Sequence, residues 1–308
     1  MKKTNRLISL VITFAVSGFI IIGCGKSSIE IDNSTYEPKI AINGLLNPEL
    51  TIQRISIGRN FPLGQTIDLS SVALTGAQVK ITELSSGNEH TLTFNPNSGY
   101  FELHTILMKI NYGLTYRLDV SATIDGKELS ASSTTTVPEE GMAIIPGESL
   151  VGDMVYRQKD INGELIAPVI AFSQSENVAF YLLSFMAADT SDASFIYDNP
   201  MGFKIEDMRK DGGSARDLQY GDIWKRLEDD ASHVNNFESN WFWFWFYGEY
   251  RFILYGGDVN YYHYLATHAN VMGMDGNLHE PIFDIDGDGI GVFGSVITDT
   301  VYVNVLRP

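Results

Sequence analysis

Thr115-Tyr116-Arg117-Leu118-Asp119-Val120-Ser121-Ala122 alternates polar and apolar residues without a break. Successive side chains of a strand point to opposite faces, so this stretch has one apolar and one wet face. Asp125-Gly126 comes next as a turn, and Leu129 to Val137 reads as the next strand. The same period recurs upstream, in Lys39 to Asn43, which leads into Asn43-Gly44, and in Thr51 to Ile57. It returns in Ala77 to Thr82, His90 to Phe94 and Gly99 to Leu103. Short alternating runs with a turn signal about every 8–12 residues predict an antiparallel β-sandwich. Residues 36–138 have the size of an immunoglobulin-like module, about 100 residues. The cysteine pair of antibody-type domains is absent, so the architecture alone is implied.

Pro138-Glu139-Glu140-Gly141 and Pro146-Gly147 then punctuate the chain, placing an expected boundary near 138–150. Residues 150–308 predict a second β-rich domain, with strands at Val169 to Phe172 and Asn177 to Ala187. Asn162-Gly163 fits a hairpin turn. Residues 188–240 are polar and rich in Asp and Gly, an expected helical and irregular insertion with a short helix at Asp222–Val234. Asp258 to Asn270 reads as a helix with Asp258 as its N-cap. Residues 282–306 return to strand and turn. The expected class is therefore mainly β.

The other end of the chain carries an export signal. Lys2, Lys3 and Arg6 precede an almost wholly apolar run from Leu7 to Ile22, and no acid appears before Glu30. That run is shorter than the ~20 residues a membrane-crossing helix needs. Ile21-Ile22-Gly23-Cys24 resembles the bacterial lipobox, in which the thiol takes a diacylglycerol and cleavage frees its amine for a further acyl chain. Two or three chains anchor stably where one does not. Residues 1–23 are thus an expected lipoprotein signal peptide, Cys24 the lipidation site and 24–35 a flexible tether. Cys24 is the only cysteine, so it belongs to no internal disulfide and no Cys-based zinc site.

Charge narrows the partners. Formal net charge is −17, and losing Lys2, Lys3 and Arg6 leaves 18 basic residues against 38 acidic ones. Such a surface disfavours nucleic acid. No G-x-S-x-G elbow, H-E-x-x-H or P-loop is present, and no pair among the scattered acids is singled out for glycosidic chemistry. The expected role is binding, not catalysis.

Three stretches bear on what is bound. In Trp241-Phe242-Trp243-Phe244-Trp245-Phe246-Tyr247, read as a strand, Trp241, Trp243 and Trp245 share one face. They are either core or a platform for sugar rings or another apolar ligand. Asp284-Ile285-Asp286-Gly287-Asp288-Gly289 resembles the start of a calcium loop, with Asp284, Asp286 and Asp288 as oxygen ligands. The twelfth position is Ser295 where that loop has an acid, so a surface turn is the competing account. Gly289-Ile290-Gly291-Val292-Phe293-Gly294 spells the dinucleotide fingerprint but lacks its strand–helix unit. Its glycines fit a tight turn and a close strand crossing.

Four stretches carry a resemblance. They are Tyr36 to Gly44; Gly99-Tyr100-Phe101 with Gly113 to Leu118; Tyr261-Tyr262-His263-Tyr264-Leu265; and Glu280-Pro281 with Gly289 to Gly294. In this order the chain resembles a domain-of-unknown-function family of Bacteroidota outer-membrane lipoproteins, often encoded beside TonB-dependent receptors. The polar centre, 203–240, departs from the family pattern. The resemblance implies the outer membrane and a TonB-dependent β-barrel receptor as partner, and transfers no catalytic residue. The expected function is a lipid-anchored accessory of nutrient uptake. The alternatives are a stand-alone carbohydrate- or peptide-binding lipoprotein and, third, a hydrolase.

Overall fold

The turn at Asp125-Gly126 closes a hairpin. Asp125 (φ 50°) and Gly126 (φ 77°) both adopt left-handed backbone, as a two-residue type I′ turn requires. The flanking strands pair antiparallel from Thr115↔Thr136 to Ile124↔Lys127. Tyr116, Leu118, Val120, Ala122 and Ile124 are buried, while Arg117, Ser121 and Thr123 are exposed. The alternation in the sequence is the alternation of faces.

The computed structural model describes residues 36–62, 64–210, 212–226, 235–268 and 281–308, with the backbone alone over 223–226. Cys24, the signal segment and the tether lie outside the described residues. The described residues of 38–60 and 67–308 form one compact unit, and the described residues among 36–37 and 61–66 belong to a second. In that smaller group the Gln65 N–H donates to Pro62 O at 3.4 Å.

The large unit is mainly β. Its strands are β1 (Ile40–Leu46), β2 (Ile52–Arg59), β3 (Gln78–Glu83), β4 (Glu89–Asn95), β5 (Tyr100–His104), β6 (Thr115–Ile124), β7 (Lys127–Thr136) and β8 (Ala143–Ile144). Then come β9 (Gly152–Val155), β10 (Val169–Ser173), β11 (Phe180–Ala187), helix α1 (Ile205–Lys210), β12 (Tyr220–Arg226), β13 (Asn236–Glu238) and β14 (Gly248–Gly257). Helix α2 (Val259–His268), β15 (Asp286–Gly287) and β16 (Gly289–Leu306) complete it. One sheet runs β12-β11-β14-β16-β1-β2-β5-β4-β3-β6-β7-β15, with β9 beside β16; a small sheet runs β13-β10-β8.

Strand β16 joins the two halves of the chain. Its first part runs parallel to β1, from Ile40↔Gly289 to Leu46↔Ser295. Its second part runs antiparallel to β14, from Gly257↔Val296 to Gly248↔Val305. The close approach needs glycine. Gly291 has φ 105°, and a Cβ there would lie 2.0 Å from Ile42 O. At Gly289 a Cβ would meet Ile285 Cγ2 at 2.3 Å, and at Gly294 it would meet Asp258 Oδ1 at 2.8 Å. The glycines of the G-x-G-x-x-G string thus serve backbone contact.

Two expected elements differ. Residues 222–226 belong to β12, paired with β11 from Met186↔Tyr220 to Phe180↔Arg226, and not to a helix; 227–234 lie outside the described residues. The expected insertion at 188–240 therefore returns a strand to the sheet edge. Asn43-Gly44, into which the expected first strand led, lies inside β1, where Gly44 packs over the Ile55 side chain.

The expected N-cap of α2 is in place. Asp258 Oδ1 accepts from the Tyr261 N–H at 3.0 Å. Asn260, also buried, donates from Nδ2 to Thr134 O (2.8 Å) and Phe293 O (2.9 Å), tying the helix to β7 and β16. Asp258 is only 3% exposed. Its Oδ2 lies 2.5 Å from Thr135 Oγ1, which lies 2.9 Å from Ser295 Oγ. Ser295 Oγ lies in turn 3.0 Å from Thr136 O. Two hydroxyls own two hydrogens, and these three contacts need three. A protonated Asp258 supplies the third. Burial pushes this carboxyl above the usual carboxylate range, outweighing the neighbouring groups that favour its charged form, among them the Tyr261 N–H, and the Asp284 charge adds to the rise.

Gly291→Ala should cost about 3 kcal/mol or more in urea unfolding, from backbone strain and the Ile42 clash. Gly147→Ala, with nothing within 4 Å of the added carbon, should stay within about 0.5 kcal/mol. For Asp258, the fold holds a proton that the unfolded chain releases near its ordinary value. Its contribution is complete below about pH 3.9 and is lost as pH rises through the raised folded value. From about pH 4 upward, wild type should therefore lose stability relative to Asp258→Asn; parallel pH–stability curves would contradict the protonated carboxyl.

Candidate functional site

The three tryptophans do not share one face. Residues 241–247 are not the expected strand. Trp241–Trp243 form one 3-10 turn, with the Asn240 side chain accepting from the Phe242 N–H at 3.5 Å. Trp245 and Phe246 are then pinned by a single hydroxyl. The buried Tyr250 Oη accepts from the Trp245 N–H (3.2 Å) and the Phe246 N–H (2.9 Å). The Ile196 N–H donates to Trp245 O at 2.9 Å. These side-chain caps and cross-links replace a strand ladder.

The turn separates the indoles. Trp241 is 3% exposed and donates from Nε1 to Ile166 O at 2.7 Å, a core tryptophan with its polar atom satisfied. Trp243 and Trp245 are half-buried, and Phe242 is exposed. They stand over a row of cross-strand partners. Val301 of β16 faces Phe252 of β14, Phe252 faces Phe185 of β11, and Phe185 faces Gly221 of β12. The Phe185 and Phe252 rings stack with centroids 5.4 Å apart and planes 23° apart. A Cβ on Gly221 would lie 2.2 Å from Phe185 Cζ, so the missing side chain gives this ring its place. Trp243 lies nearly parallel to Phe185, at 9° and 6.2 Å.

A cleft of about 210 Å³ opens here, lined by Phe185, Tyr220, Asp222, Phe242, Trp243 and Trp245. Met201 and Gly221 also line it. Phe242 and Trp243 meet at 76° with centroids 6.0 Å apart, making a corner of two ring walls. Trp245 is braced edge-on by Phe203 at 5.2 Å. Tyr220 and Met201 are more than half exposed. The volume is below the roughly 300–1,000 Å³ of drug-sized sites, so it suits one small group or ring.

A family model described as a domain of unknown function, DUF4249, matches residues 26–298. The chain belongs to the DUF4249 family. No match to it was found among curated proteins.

The other site residues of this DUF4249 chain are placed apart. Asp284 Oδ2 lies 2.9 Å from His263 Nδ1, both about one-third exposed. Asp286 sits in β15 opposite Ser132. Asp288 Oδ2 accepts from the Ser130 N–H at 3.3 Å, and its Oδ1 lies 4.0 Å from Lys39 Nζ. The Asp284 and Asp288 carboxylates turn to different partners. Among the described residues no three His, Cys, Asp or Glu side chains are grouped to hold a metal ion. Gly287 has φ 81° beside Ser130 O, the local backbone reason for an Asp-Gly turn. His263 and Asp284 form a dyad, but among the described residues no hydroxyl hydrogen-bonds to His263 Nε2. Among the same residues no helix is long and apolar enough to cross a membrane.

Sequence reasoning found Trp243 and Trp245 but missed Asp222, Tyr220 and Gly221. The polar composition around them resembled a helix or loop. Gly221 carried the available signal, since a glycine within a strand marks a close approach of another group.

Trp241→Ala should lower unfolding free energy by about 3–5 kcal/mol, the cost of emptying a core aromatic site. Trp243→Ala, at the cleft wall, should cost clearly less in the same urea titration. Equal losses would place both indoles in the core.

Proposed function

We propose that this DUF4249 protein is a lipid-anchored binding protein of the bacterial outer membrane that serves a TonB-dependent uptake system, with the aromatic cleft as its ligand site. The observation that carries the binding role is the open corner formed by Phe242 and Trp243. Large aromatic side chains normally go inside. Here the stacked core row holds Trp243, and Phe203 holds Trp245, partly out of the interior, at the edge of a sheet, where a ligand can reach them. The lipobox supports the anchor, and the family match starts at residue 26, two residues beyond Cys24. The outer membrane, the Bacteroidota origin and the TonB link rest on the sequence resemblance.

The same cleft favours a second role, a stand-alone receptor for a sugar or peptide, since indole faces stack on apolar ring faces. Hydrolysis of a glycoside has less support. It needs two carboxyl groups about 5–10 Å apart, and among the described lining residues Asp222 is the one acid.

Native-membrane fractionation tests the anchor. Wild type should sediment with outer membrane and incorporate labelled palmitate, and Cys24→Ser should lose the label and stay with the signal peptide uncut. A membrane-bound, correctly cleaved Cys24→Ser protein would refute lipidation at this site. Purification in mild detergent should bring down a β-barrel transporter; its absence would leave the stand-alone receptor as the better account.

A further inference from the structure

We propose that the loop from Ile67 to Val72 is the face with which this protein rests on its membrane, setting its aliphatic side chains into a zwitterionic lipid surface. The proposal rests on the lipid anchor at Cys24. The loop runs against the usual order of burial. Leu69 is 85% exposed, Ile67 46% and Val72 36%. Single aliphatic side chains at a surface are ordinary. Three within one short loop present a concentration of apolar groups to water.

The loop is held in shape. Leu69–Ser71 form a 3-10 turn capped by Asp68, whose Oδ1 accepts from the Ser70 N–H at 3.0 Å. Its far end is bonded to β2. The Arg59 N–H donates to Val72 O at 3.2 Å, and the Leu74 N–H donates to Ile57 O at 2.9 Å. Gly58 lacks a side chain where a Cβ would come 2.9 Å from Val72 O. The backbone is thus tied down while the aliphatic groups stay exposed, and contact with lipid has little left to order.

Position names the partner. Arg59, which holds Val72, faces Ile40 at the start of β1. Next to it, Asn60 Oδ1 accepts from the Lys39 N–H at 2.7 Å and the Asn60 N–H donates to Lys39 O at 3.3 Å. The loop therefore lies at the end of the sheet where the chain arrives from Cys24. Cys24 is 15 residues before Lys39, and such a stretch spans at most about 50–55 Å. Acyl chains on Cys24 keep the bilayer within that reach and make the contact intramolecular, so a small apolar area is enough. A second exposed group, Leu50, Ile106 and Leu107, lies at the opposite end of β1 and β2, where the Thr105 N–H donates to Thr51 O. The length of β1, about 20 Å, separates it from the anchored end.

Charge selects the lipid. Asp68 is the one acid in the loop and caps its turn, and the loop has no Lys or Arg. Beside it, Arg59 pairs with Asp125 and Lys39 with Asp288. The net charge of −17 repels an anionic surface. A zwitterionic headgroup fits both.

The test uses the acylated mature protein in phosphatidylcholine vesicles. Cys24 is the one native cysteine, and in the acylated protein its sulfur carries lipid. Leu69→Cys therefore gives a single thiol for the environment-sensitive fluorophore NBD, and Ile106→Cys gives a similarly exposed control at the far end. Both side chains are exposed, so circular dichroism should match wild type. Emission from residue 69 should be blue-shifted and fall roughly twofold or more with brominated phosphatidylcholine, while residue 106 should not respond. Admixed phosphatidylglycerol should weaken the quenching at residue 69; stronger quenching would overturn the zwitterionic preference. Equal quenching at both residues, or at residue 106 alone, would overturn the loop as the docking face. Vesicle-bound protein with residue 69 in water would overturn the docking and leave the anchor standing. Protein that does not stay with the vesicles would overturn both.

Discussion

Gly291 lets the backbone of β16 meet the backbone of β1 at Ile42 O, and the rest of the sheet is arranged around that contact. A parallel pair cannot be closed by a tight turn. Here its two strands come from opposite ends of the described chain, so every element between them must be accommodated in the connection. Once β1 and β16 are paired, each extends the sheet on its own side. The β2-to-β7 strands extend from β1, and β14, β11 and β12 extend from β16. A side chain at residue 291 would act on both wings at once, because the φ of 105° and the 2.0 Å approach belong to the seam between them.

The polar knot at Asp258 works on the same seam from the other side. Helix α2 starts where β14 ends, and Gly294 leaves space for its first turn against β16. Asp258 caps the helix, Asn260 ties it to two carbonyls, and Thr135 and Ser295 join β7 to β16. Buried polar groups of this kind are costly unless each finds a partner. Proton counting accounts for all of them only when the carboxyl is neutral. The knot therefore gives β7 and β16 a defined register where apolar packing alone would tolerate sliding.

How much of this was legible depends on range. Local alternation identified the seven strands from β1 to β7 and the Asp125-Gly126 turn, because a period of two is written in neighbouring residues. Asp258 was legible for the same reason, as a cap sits next to its helix. Pairing partners were not. Nothing in Ile40 to Leu46 names Gly289 to Ser295, and the glycines of that string spoke of close approach without saying to what. Residues 241–247 misled for a different reason. Seven aromatics announce burial, but backbone shape there is set by Asn240, Ile196 and the Tyr250 hydroxyl, one of them 45 residues from Trp241. Residues 222–226 misled because a sheet edge is wet, and Asp222 on such an edge looks like any exposed polar residue.

The split among the tryptophans explains why a cleft exists. Had 241–247 been a strand, Trp241, Trp243 and Trp245 would all have shared one face and been buried or exposed together. The 3-10 turn sends Trp241 inward to Ile166 O and leaves Trp243 and Trp245 half outside, Trp243 on the core ring of Phe185 and Trp245 edge-on to the half-buried Phe203. The cleft thus takes its rigidity from the interior and its access from the sheet edge. Gly221 is where these meet: it faces Phe185 in the β11–β12 register and supplies no atoms of its own, so the row of rings ends in a space and not in another side chain. Filling that position would displace the Phe185 ring on which Trp243 lies, and the half-buried indole would lose the support that makes its geometry defined.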